Sequence, residues 1–421
     1  MTSSTIVQAS VDSTGRRVLT HPEADTITPE ELVSRARALI PRLKERAAPT
    51  EQARHLLPET VRDLTEAGFF RIVQPKRFGG FELGIDVLED VVVEIGRGCG
   101  STAWCMAILG GHSWFSALFN EAGQCELYGD EGHVIMSTNL SGNGRARRVE
   151  GGYELSGRFI YLSGCDIANW LCVGAMVIDT DGEPSDPESW LYAAIRPEDA
   201  SIQDDWHVLG LRGTGSKTVL VDKLFVAEHM TLSQEAVQRQ ETPGRYIHPN
   251  PFYAAPMLAF LSIETSGAAV GLALQAVDIL EDIGRNKPVR TRDAFAKPQS
   301  TYDLPAFRRR FAETRSLADA ARALLRSECQ RLISTMIEYV PARRKLTSEQ
   351  LIEYTLNNAR LADLCVQAVE NAFATAGTSA TFEGHPLERV FRDVHMLSTH
   401  NVFRLDQIDE RWALAHFGLQ G

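Results

Sequence analysis

Residues 153–164 read YELSGRFIYLSG, two short β-prone runs that glycines separate and close. Similar runs recur in the middle of the chain, at residues 134–136, 170–173, 190–195 and 218–221. Short strands that alternate with glycine-rich turns at this spacing are typical of a compact barrel or sandwich. We therefore predict a central β domain, a β-barrel, over residues 131–235.

Helical periodicity flanks this β region on both sides. Before it, Thr28-Pro29-Glu30-Glu31 predicts a capped helix start, and helical stretches follow to about residue 128. After it, residues 268–283, 305–337, 351–376 and 387–414 have the spacing of long helices, which predicts a four-helix bundle. The predicted fold is mainly α, with a flexible N-terminal arm (1–26), a helical domain (27–130), the β domain and a C-terminal helical bundle (236–421).

Composition narrows the class of protein. The chain has 421 residues, 44% of them apolar, and a net charge of −12. This negative charge disfavours a nucleic-acid or anionic-membrane partner, because both are themselves negatively charged and bind to basic surfaces. The polar N-terminus has no signal-peptide pattern, and the seven cysteines include no CxxC pair. We expect a cytoplasmic protein with no protein-bound metal.

Two kinds of residue could carry chemistry. Residues 210–216, GLRGTGS, form a loop whose amides, Arg212 guanidinium and Ser216 hydroxyl suit an anionic or heteroaromatic ligand. A plain glycine-rich turn is the alternative. His112 lies in an apolar helical run and His400 in the last helical segment. Taken singly, each histidine is more often structural than catalytic.

Five segments in fixed order resemble acyl-CoA-dehydrogenase-fold flavoproteins. They are QPKRFGG (74–80), CGSTAW (99–104), GRFIYLSG (157–164), GLRGTGS (210–216) and FRDVH (391–395). The resemblance covers nearly the whole chain from about residue 28. It is strongest with the oxygenase components of two-component flavin-dependent monooxygenases, such as 4-hydroxyphenylacetate 3-hydroxylases and indole monooxygenases. It implies a helical domain, a β-barrel and a four-helix bundle, usually assembled as a homotetramer.

The residues after Arg392-Asp393 bear on the reaction. Acyl-CoA dehydrogenases commonly have a catalytic glutamate there, whereas this chain has His400 and Asn401 in that register. An amide cannot act as the carboxylate base. The monooxygenases instead have histidines that match His112 and His400. The resemblance thus favours a monooxygenase. An acyl-CoA dehydrogenase-like flavoenzyme, an N- or S-oxygenating relative and a non-catalytic protein of this fold stay as alternatives.

The resemblance also implies roles for single residues. Reduced FMN or FAD would come from a separate NAD(P)H:flavin reductase, and O2 would form a C4a-hydroperoxide that oxygenates an aromatic carbon. His112 would polarise or deprotonate the substrate, Ser163 would hydrogen-bond flavin N5, and His400 would lie near C4a. The expected cofactor contacts are Ser163, Arg212, Gly215, Ser216 and, toward the phosphate of a neighbouring subunit's flavin, Arg290 or Arg292. A turn serine and solvated surface arginines are the structural alternatives.

The resemblance places four residues at the substrate: Trp104, Thr138, Leu258 and Val402. A core tryptophan and a strand threonine are the alternatives for the first two. Relatives that act on arylacetates have an arginine and an aromatic residue near Leu258 and Val402. Because a buried carboxylate without a cation costs several kcal/mol, these apolar residues predict a neutral aromatic substrate, such as indole or an uncharged phenol.

Overall fold

The computed structural model describes residues 7–12, 15–129, 132–178, 189–288 and 300–419. Five helices precede the main sheet: α1 Pro29–Ala53, α2 Pro58–Glu66, α3 Ile85–Gly96, α4 Gly100–Ser116 and α5 Glu121–Tyr128. The Thr28 side chain accepts a hydrogen bond from the Glu31 amide and Pro29 occupies the first turn, so α1 begins as the sequence predicts. Of the α4 residues only Ile108 is not buried, and α4 is therefore the centre of this region.

The N-terminal segment differs from the expected flexible arm of residues 1–26. Its described part contains β1 Gln8–Val11 and β2 Arg17–Thr20, which pair antiparallel. Leu19 is fully buried, and its amide donates to the Arg77 carbonyl at 2.7 Å. Burial of one apolar side chain and a backbone bond to the helical domain hold this hairpin in place, and neither feature has a local sequence signal.

Seven further strands form one sheet. They are β3 Met136–Val149, β4 Gly152–Leu162, β5 Trp170–Ile178, β6 Trp190–Ile195, β7 Ser201–Gln203, β8 Lys217–Ala227 and β9 Thr231–Ser233, in the spatial order β7-β8-β4-β3-β5-β6-β9. The runs predicted at 153–155 and 159–161 belong to the single strand β4. A closed barrel needs its first and last strands to pair. No described pairing joins β7 to β9, so the β domain is an open sheet in the described residues.

The chain after the sheet is helical. Its elements are α6 Gln234–Gln238, α7 Pro243–Ile247, α8 Met257–Glu264, α9 Ser266–Asn286, α10 Pro305–Tyr339, α11 Ser348–Ala376, α12 Pro386–Ser398 and α13 Leu405–Phe417. Thr347 and Gln350 form a capping box at the start of α11. The segment expected as one helix over residues 387–414 is instead two helices, with a 3-10 turn at Asn401–Phe403 between them. His400 lies in this break.

The stretch Met257–Asn286 is long and apolar enough to cross a membrane, but 83% of its most apolar window is buried within the protein. This burial is typical of a core helix. The stretch comprises α8 and α9, and α9 packs against α3, α10 and α11.

Asp393 fastens the loop of residues 210–216 to α12. Its buried Oδ1 accepts a hydrogen bond from the Leu211 amide at 2.6 Å. A Cβ on Gly210 would lie 2.1 Å from the Arg392 carbonyl oxygen, so only glycine permits this approach. Burial raises the pKa of Asp393 to about 6. The carboxyl is thus both a tether for the loop and a buried acid.

We expect Asp393→Ala to lower the free energy of unfolding by about 1–3 kcal/mol, because the buried Leu211 amide loses its acceptor. Asp393→Asn keeps that acceptor. The wild-type pKa is raised on folding, so the stability that the carboxyl contributes is present below pH 4 and is lost as the pH rises through about 6. Urea unfolding should therefore show Asp393→Asn gaining about 3 kcal/mol relative to wild type between pH 4 and 7. A constant difference would contradict this account.

Candidate functional site

Four elements meet at one junction, which we call the cleft: α4, the turn after β4, the loop of residues 210–216 and the break after α12. Trp104 of α4 is buried there, and its indole nitrogen donates to Ser163 Oγ at 3.0 Å. The His400 ring meets the Trp104 ring edge-on, with 5.3 Å between centroids. Trp104, Ser163 and His400, which are far apart in sequence, thus lie together.

The hydroxyl groups of Ser163, Ser216 and Thr214 form a chain of hydrogen bonds that all donate in one direction. Thr214 Oγ1 lies 2.9 Å from the Leu211 carbonyl oxygen, which can only accept, so the Thr214 proton points there. The 2.7 Å contact between Ser216 and Thr214 then uses the Ser216 proton. The 2.8 Å contact between Ser163 and Ser216 in turn uses the Ser163 proton. Ser163 Oγ therefore keeps one lone pair for a further donor, such as a ligand N–H.

The backbone of the same loop requires glycine. Gly215 has a φ of +52°, and a Cβ there would lie 2.7 Å from Asp166 Oδ2 and 3.0 Å from the Arg54 carbonyl oxygen. Arg212 stands one turn earlier. Its Nε is buried without a hydrogen-bond partner in the described part of the chain, and a terminal nitrogen lies 3.8 Å from Glu51. Arg212 thus keeps one buried N–H without a described partner, while its charge lies beside Glu51.

His400 is neutral at the mouth of this cleft. Protein atoms crowd most of its ring and lower its pKa below the usual value, while one side stays open to solvent. A neutral imidazole can accept a proton or donate one without bringing a fixed charge into the cleft.

His112 forms a second, deeper cluster on α4. It lies eight residues after Trp104, about 12 Å along the helix axis, and is buried. Its Nδ1 is 3.1 Å from the Met136 carbonyl oxygen, so that nitrogen carries a proton. Its Nε2 lies 3.5 Å from Glu264 Oε2, which is longer than a normal hydrogen bond. Nε2 is therefore the nitrogen available for chemistry.

Sequence reasoning missed Glu264 and Glu89, both fully buried. A local signal existed for Glu264, because it is the one ionisable side chain between residues 257 and 277. A lone carboxyl in such a run needs a partner or a function. Glu89 had no comparable signal, because other acidic residues surround it in sequence.

The remaining predicted residues lie at differing depths. Thr138 is half-buried in β3, two residues after Met136, whose carbonyl holds His112. Val402 is partly buried and packs on the core beside His400, whereas Leu258 of α8 is 37% exposed. Arg290 and Arg292 lie outside the described residues. The structure thus groups Trp104, Ser163, Arg212, Gly215, Ser216 and His400 at the cleft, and His112 with Glu264 below it.

Other features of the structure lie apart from this cleft. A cavity of about 480 Å³ is lined by Lys44, Gln275, Lys287, His385 and Arg389, among others, and contains none of the predicted residues. Among described residues no three His, Cys, Asp or Glu side chains group as metal ligands would.

Gly215→Ala should weaken the binding of reduced flavin at least tenfold, because the new Cβ displaces the loop from Asp166. Anaerobic fluorescence titration measures this. The matched control is Gly377→Ala, a glycine with φ +72° and no atom within 4 Å of its Cβ position. Both variants have the left-handed strain of roughly 1–2 kcal/mol, but only the first should lose affinity. Equal losses would show that the loop geometry does not matter.

Two family models match the chain: acyl-CoA dehydrogenase, N-terminal domain, over residues 28–126, and acyl-CoA dehydrogenase, C-terminal domain, over residues 263–405. The flavin-dependent monooxygenase, oxygenase subunit HsaA, of Rhodococcus jostii (strain RHA1) is 33% identical over 92% of this chain and 98% of its own. The oxygenase component of p-hydroxyphenylacetate 3-hydroxylase from Acinetobacter baumannii is 26% identical, over 91% and 88%. The crystal structure of 3-HSA hydroxylase from Rhodococcus sp. RHA1 has 31% identity and a TM-score of 0.83, over 93% and 98%.

The flavin dependence of these relatives agrees with the chemistry of the residues at the cleft. The residues of the cleft fit a reduced flavin, since Ser163 Oγ keeps one acceptor position for an N–H. Asn401 supplies no carboxylate at the position where acyl-CoA dehydrogenases commonly have one. The predicted acyl-CoA dehydrogenase-like fold class, the enzyme class and the flavin dependence are confirmed, whereas the β-barrel is an open sheet in the described residues. The chain belongs to the oxygenase components of two-component flavin-dependent monooxygenases, which are built on the acyl-CoA dehydrogenase fold.

Proposed function

We propose that this protein hydroxylates a small neutral aromatic substrate, such as indole or an uncharged phenol. The observation that supports this substrate class is the pairing of His112 with the buried carboxyl of Glu264. A substrate carboxylate near His112 would meet a second acidic group instead of a cation. Leu258 and Val402 add no positive charge. A phenol O–H or indole N–H, by contrast, can donate to His112 Nε2 without burying a net charge.

The reduced flavin supplies the oxygen chemistry, and the cleft residues hold it. Gly215 allows the loop backbone to approach the ring system, while Arg212 and Ser216 contact it. Ser163 accepts the N–H at flavin N5 with its remaining lone pair, which favours the reduced form. His400, neutral and half-open to solvent, lies on the reacting side. FMN and FAD both fit this proposal, and Arg290 or Arg292 is its phosphate contact from a neighbouring subunit.

On the substrate side, His112 takes or polarises the proton of the substrate O–H or N–H, which raises the electron density of the ring. Trp104 forms an aromatic wall between the flavin and substrate regions, and Thr138, Leu258 and Val402 line the rest. Heteroatom oxidation would need no such base. The buried imidazole is therefore the feature that favours carbon hydroxylation over N- or S-oxygenation.

Localisation, oligomeric state and reductase partner are proposed from the family resemblance. The protein works in the cytoplasm as a homotetramer and receives reduced flavin from a separate NAD(P)H:flavin reductase. Its helical domain spans residues 27–130, its β domain 131–235 and its helical bundle 236–421. Size-exclusion chromatography with light scattering tests the tetramer directly.

The substrate proposal is tested with a flavin reductase, NADH, FMN or FAD, and a panel of aromatics. We expect hydroxylated product from indole or uncharged phenols, and at least tenfold lower kcat/KM for the carboxylated phenol of matched size. The hydroxylated product is measured by mass spectrometry, and the hydrogen peroxide formed is measured in the same sample. Efficient turnover of the carboxylated phenol alone would refute the neutral class. Reduction of the flavin by acyl-CoA would instead restore the dehydrogenase alternative.

His112→Asn should lower hydroxylation by about 10²–10⁴-fold while flavin reoxidation continues, so reducing equivalents go to hydrogen peroxide. The matched control is His248→Asn. His248 is also buried, and its Nε2 bonds to Gln124 at 2.8 Å, away from the cleft. It should retain hydroxylation. If His112→Asn kept wild-type coupling of product to NADH, the base role would be wrong.

A further inference from the structure

Glu264 ends α8 with its carboxyl wholly inside the protein. Its Oε2 lies 3.5 Å from His112 Nε2. Its Oε1 is buried and has no hydrogen-bond partner among described residues. One oxygen of Glu264 contacts the proposed base, and the other has no described partner. A carboxyl in this position can pass a proton onward from His112. Ion pairing alone would leave the second oxygen unexplained.

The backbone makes room for this carboxyl. A Cβ on Gly111 would lie 1.8 Å from Glu264 Oε1, so any larger residue would push the acid away from His112. Gly111 is helical, where glycine costs roughly 1 kcal/mol relative to alanine. The helix thus has an unfavourable residue at the one position where the carboxyl needs space.

The same arrangement recurs one step further from the cleft. The carboxyl of Glu89, on α3, accepts a hydrogen bond from the Gly267 amide at 2.6 Å, and a Cβ on Gly267 would lie 2.7 Å from Glu89 Oε2. Glu89 Oε1 is also buried without a described partner. Gly267 lies three residues after Glu264, and the charges of the two carboxyls interact.

A cavity adjoins the buried carboxyl of Glu89. Glu89 lines this cavity of about 180 Å³ together with Asp86, Asp90, Arg322, Arg326, Cys329 and others. Asp90 and Arg326 are part-exposed and lie 3.3 Å apart. The cavity therefore connects a buried carboxyl with solvated groups on α3 and α10.

We propose that Glu264 and Glu89 form a proton path from His112 to this cavity, and that His112 and Glu264 act together as the base. The inference rests on the proposed function and deepens it. The proposed path describes how the substrate proton leaves the site, and it is the same whether FMN or FAD is bound. His112 touches the substrate, whereas Glu264 and Glu89 act through it.

The proton balance is simple. The substrate O–H bond breaks, its electron pair stays on oxygen, and an N–H bond forms at His112 Nε2. Glu264 then releases a carboxyl proton to Glu89, and Glu89 releases one to water in the cavity, where it leaves as a hydronium ion. One proton enters the pair and one leaves it. The bound phenolate then faces an imidazolium whose counter-ion is Glu264.

The charges around both acids favour this role. Burial raises the pKa of Glu264, although His112 opposes the shift. Burial also raises the pKa of Glu89 well above its usual value, and Glu264 and Asp90 add to the shift. α11 contributes polar but uncharged groups near α8, Thr355 and Asn358. Acids with raised pKa values bind and release protons nearer neutral pH than ordinary glutamates do.

The test uses 4-nitrophenol, a neutral phenol whose phenolate absorbs visible light. It is bound to anaerobic protein that carries reduced flavin, and the phenolate fraction is titrated against pH. Wild type should ionise the bound probe at a lower pH than free probe. Glu264→Gln should raise the proton affinity of the bound probe at least tenfold, and Gly111→Ala should shift it the same way.

The control is Glu328→Gln. Glu328 is a buried carboxyl of α10 with a raised pKa whose partners are Arg331 and Asn357, not His112. This variant should titrate like wild type. Glu89→Gln should leave the titration in place but slow the relaxation after a pH jump at least threefold. An unchanged relaxation would remove Glu89 from the path.

Three results would overturn the proposal. Glu264→Gln could titrate like wild type, it could fold without binding the probe, or Glu328→Gln could shift as far. A wild-type protein that binds the probe without easing its ionisation would refute the proton path but leave the neutral substrate class intact. Failure of wild type to bind any neutral phenol would instead refute the substrate class and the path with it.

Discussion

The structure depends on the burial of α4, because polar side chains on a buried helix need hydrogen-bond partners, and three large ones on α4 find theirs on other elements. Trp104 donates to Ser163 at the end of the sheet's β4, and His112 contacts the Met136 carbonyl of β3 and Glu264 of α8. Trp114 donates to the Phe252 carbonyl at 2.9 Å. One helix thus draws the sheet, the loop and the C-terminal helices together, and the site lies where they meet.

This constraint explains why the site has two levels. At Trp104 the partners are hydroxyls whose protons all point away from the cleft, which leaves Ser163 an acceptor for a reduced flavin. Two turns further along, the partners of His112 are a carbonyl and an acid. In the proposed function, the first level binds the reduced flavin and the second accepts the substrate proton. Eight residues of one helix, α4, separate Trp104 from His112 and thereby fix the distance between the two levels.

The sequence predicted the order of helical, β and helical regions, since periodicity and capping are local properties. The ordered motifs also brought Trp104, Ser163 and His400 into one hypothesis, and these three residues lie together in the structure. The sequence analysis missed the hairpin around Leu19 and the break at His400, where tertiary contacts override local preference. Pro and Gly are absent from residues 399–404, so no local signal marks that break.

Glu264 shows the same limit. Its isolation in an apolar run signalled a buried acid, but only the fold shows that it faces His112. Glu89 had no signal at all, because its burial results from the packing of α3 on α9. Buried acids that pair across elements are contacts of the fold, and one sequence does not contain them.

The most direct measurement is an anaerobic crystal structure with reduced flavin and a neutral phenol bound. The account predicts flavin N5 at hydrogen-bond distance, about 3 Å, from Ser163 Oγ, with Arg212 at the flavin and the phenol oxygen on His112 Nε2. A flavin bound away from the cleft, for example in the cavity beside Lys44 and Arg389, would contradict it. So would a phenol whose oxygen points away from His112.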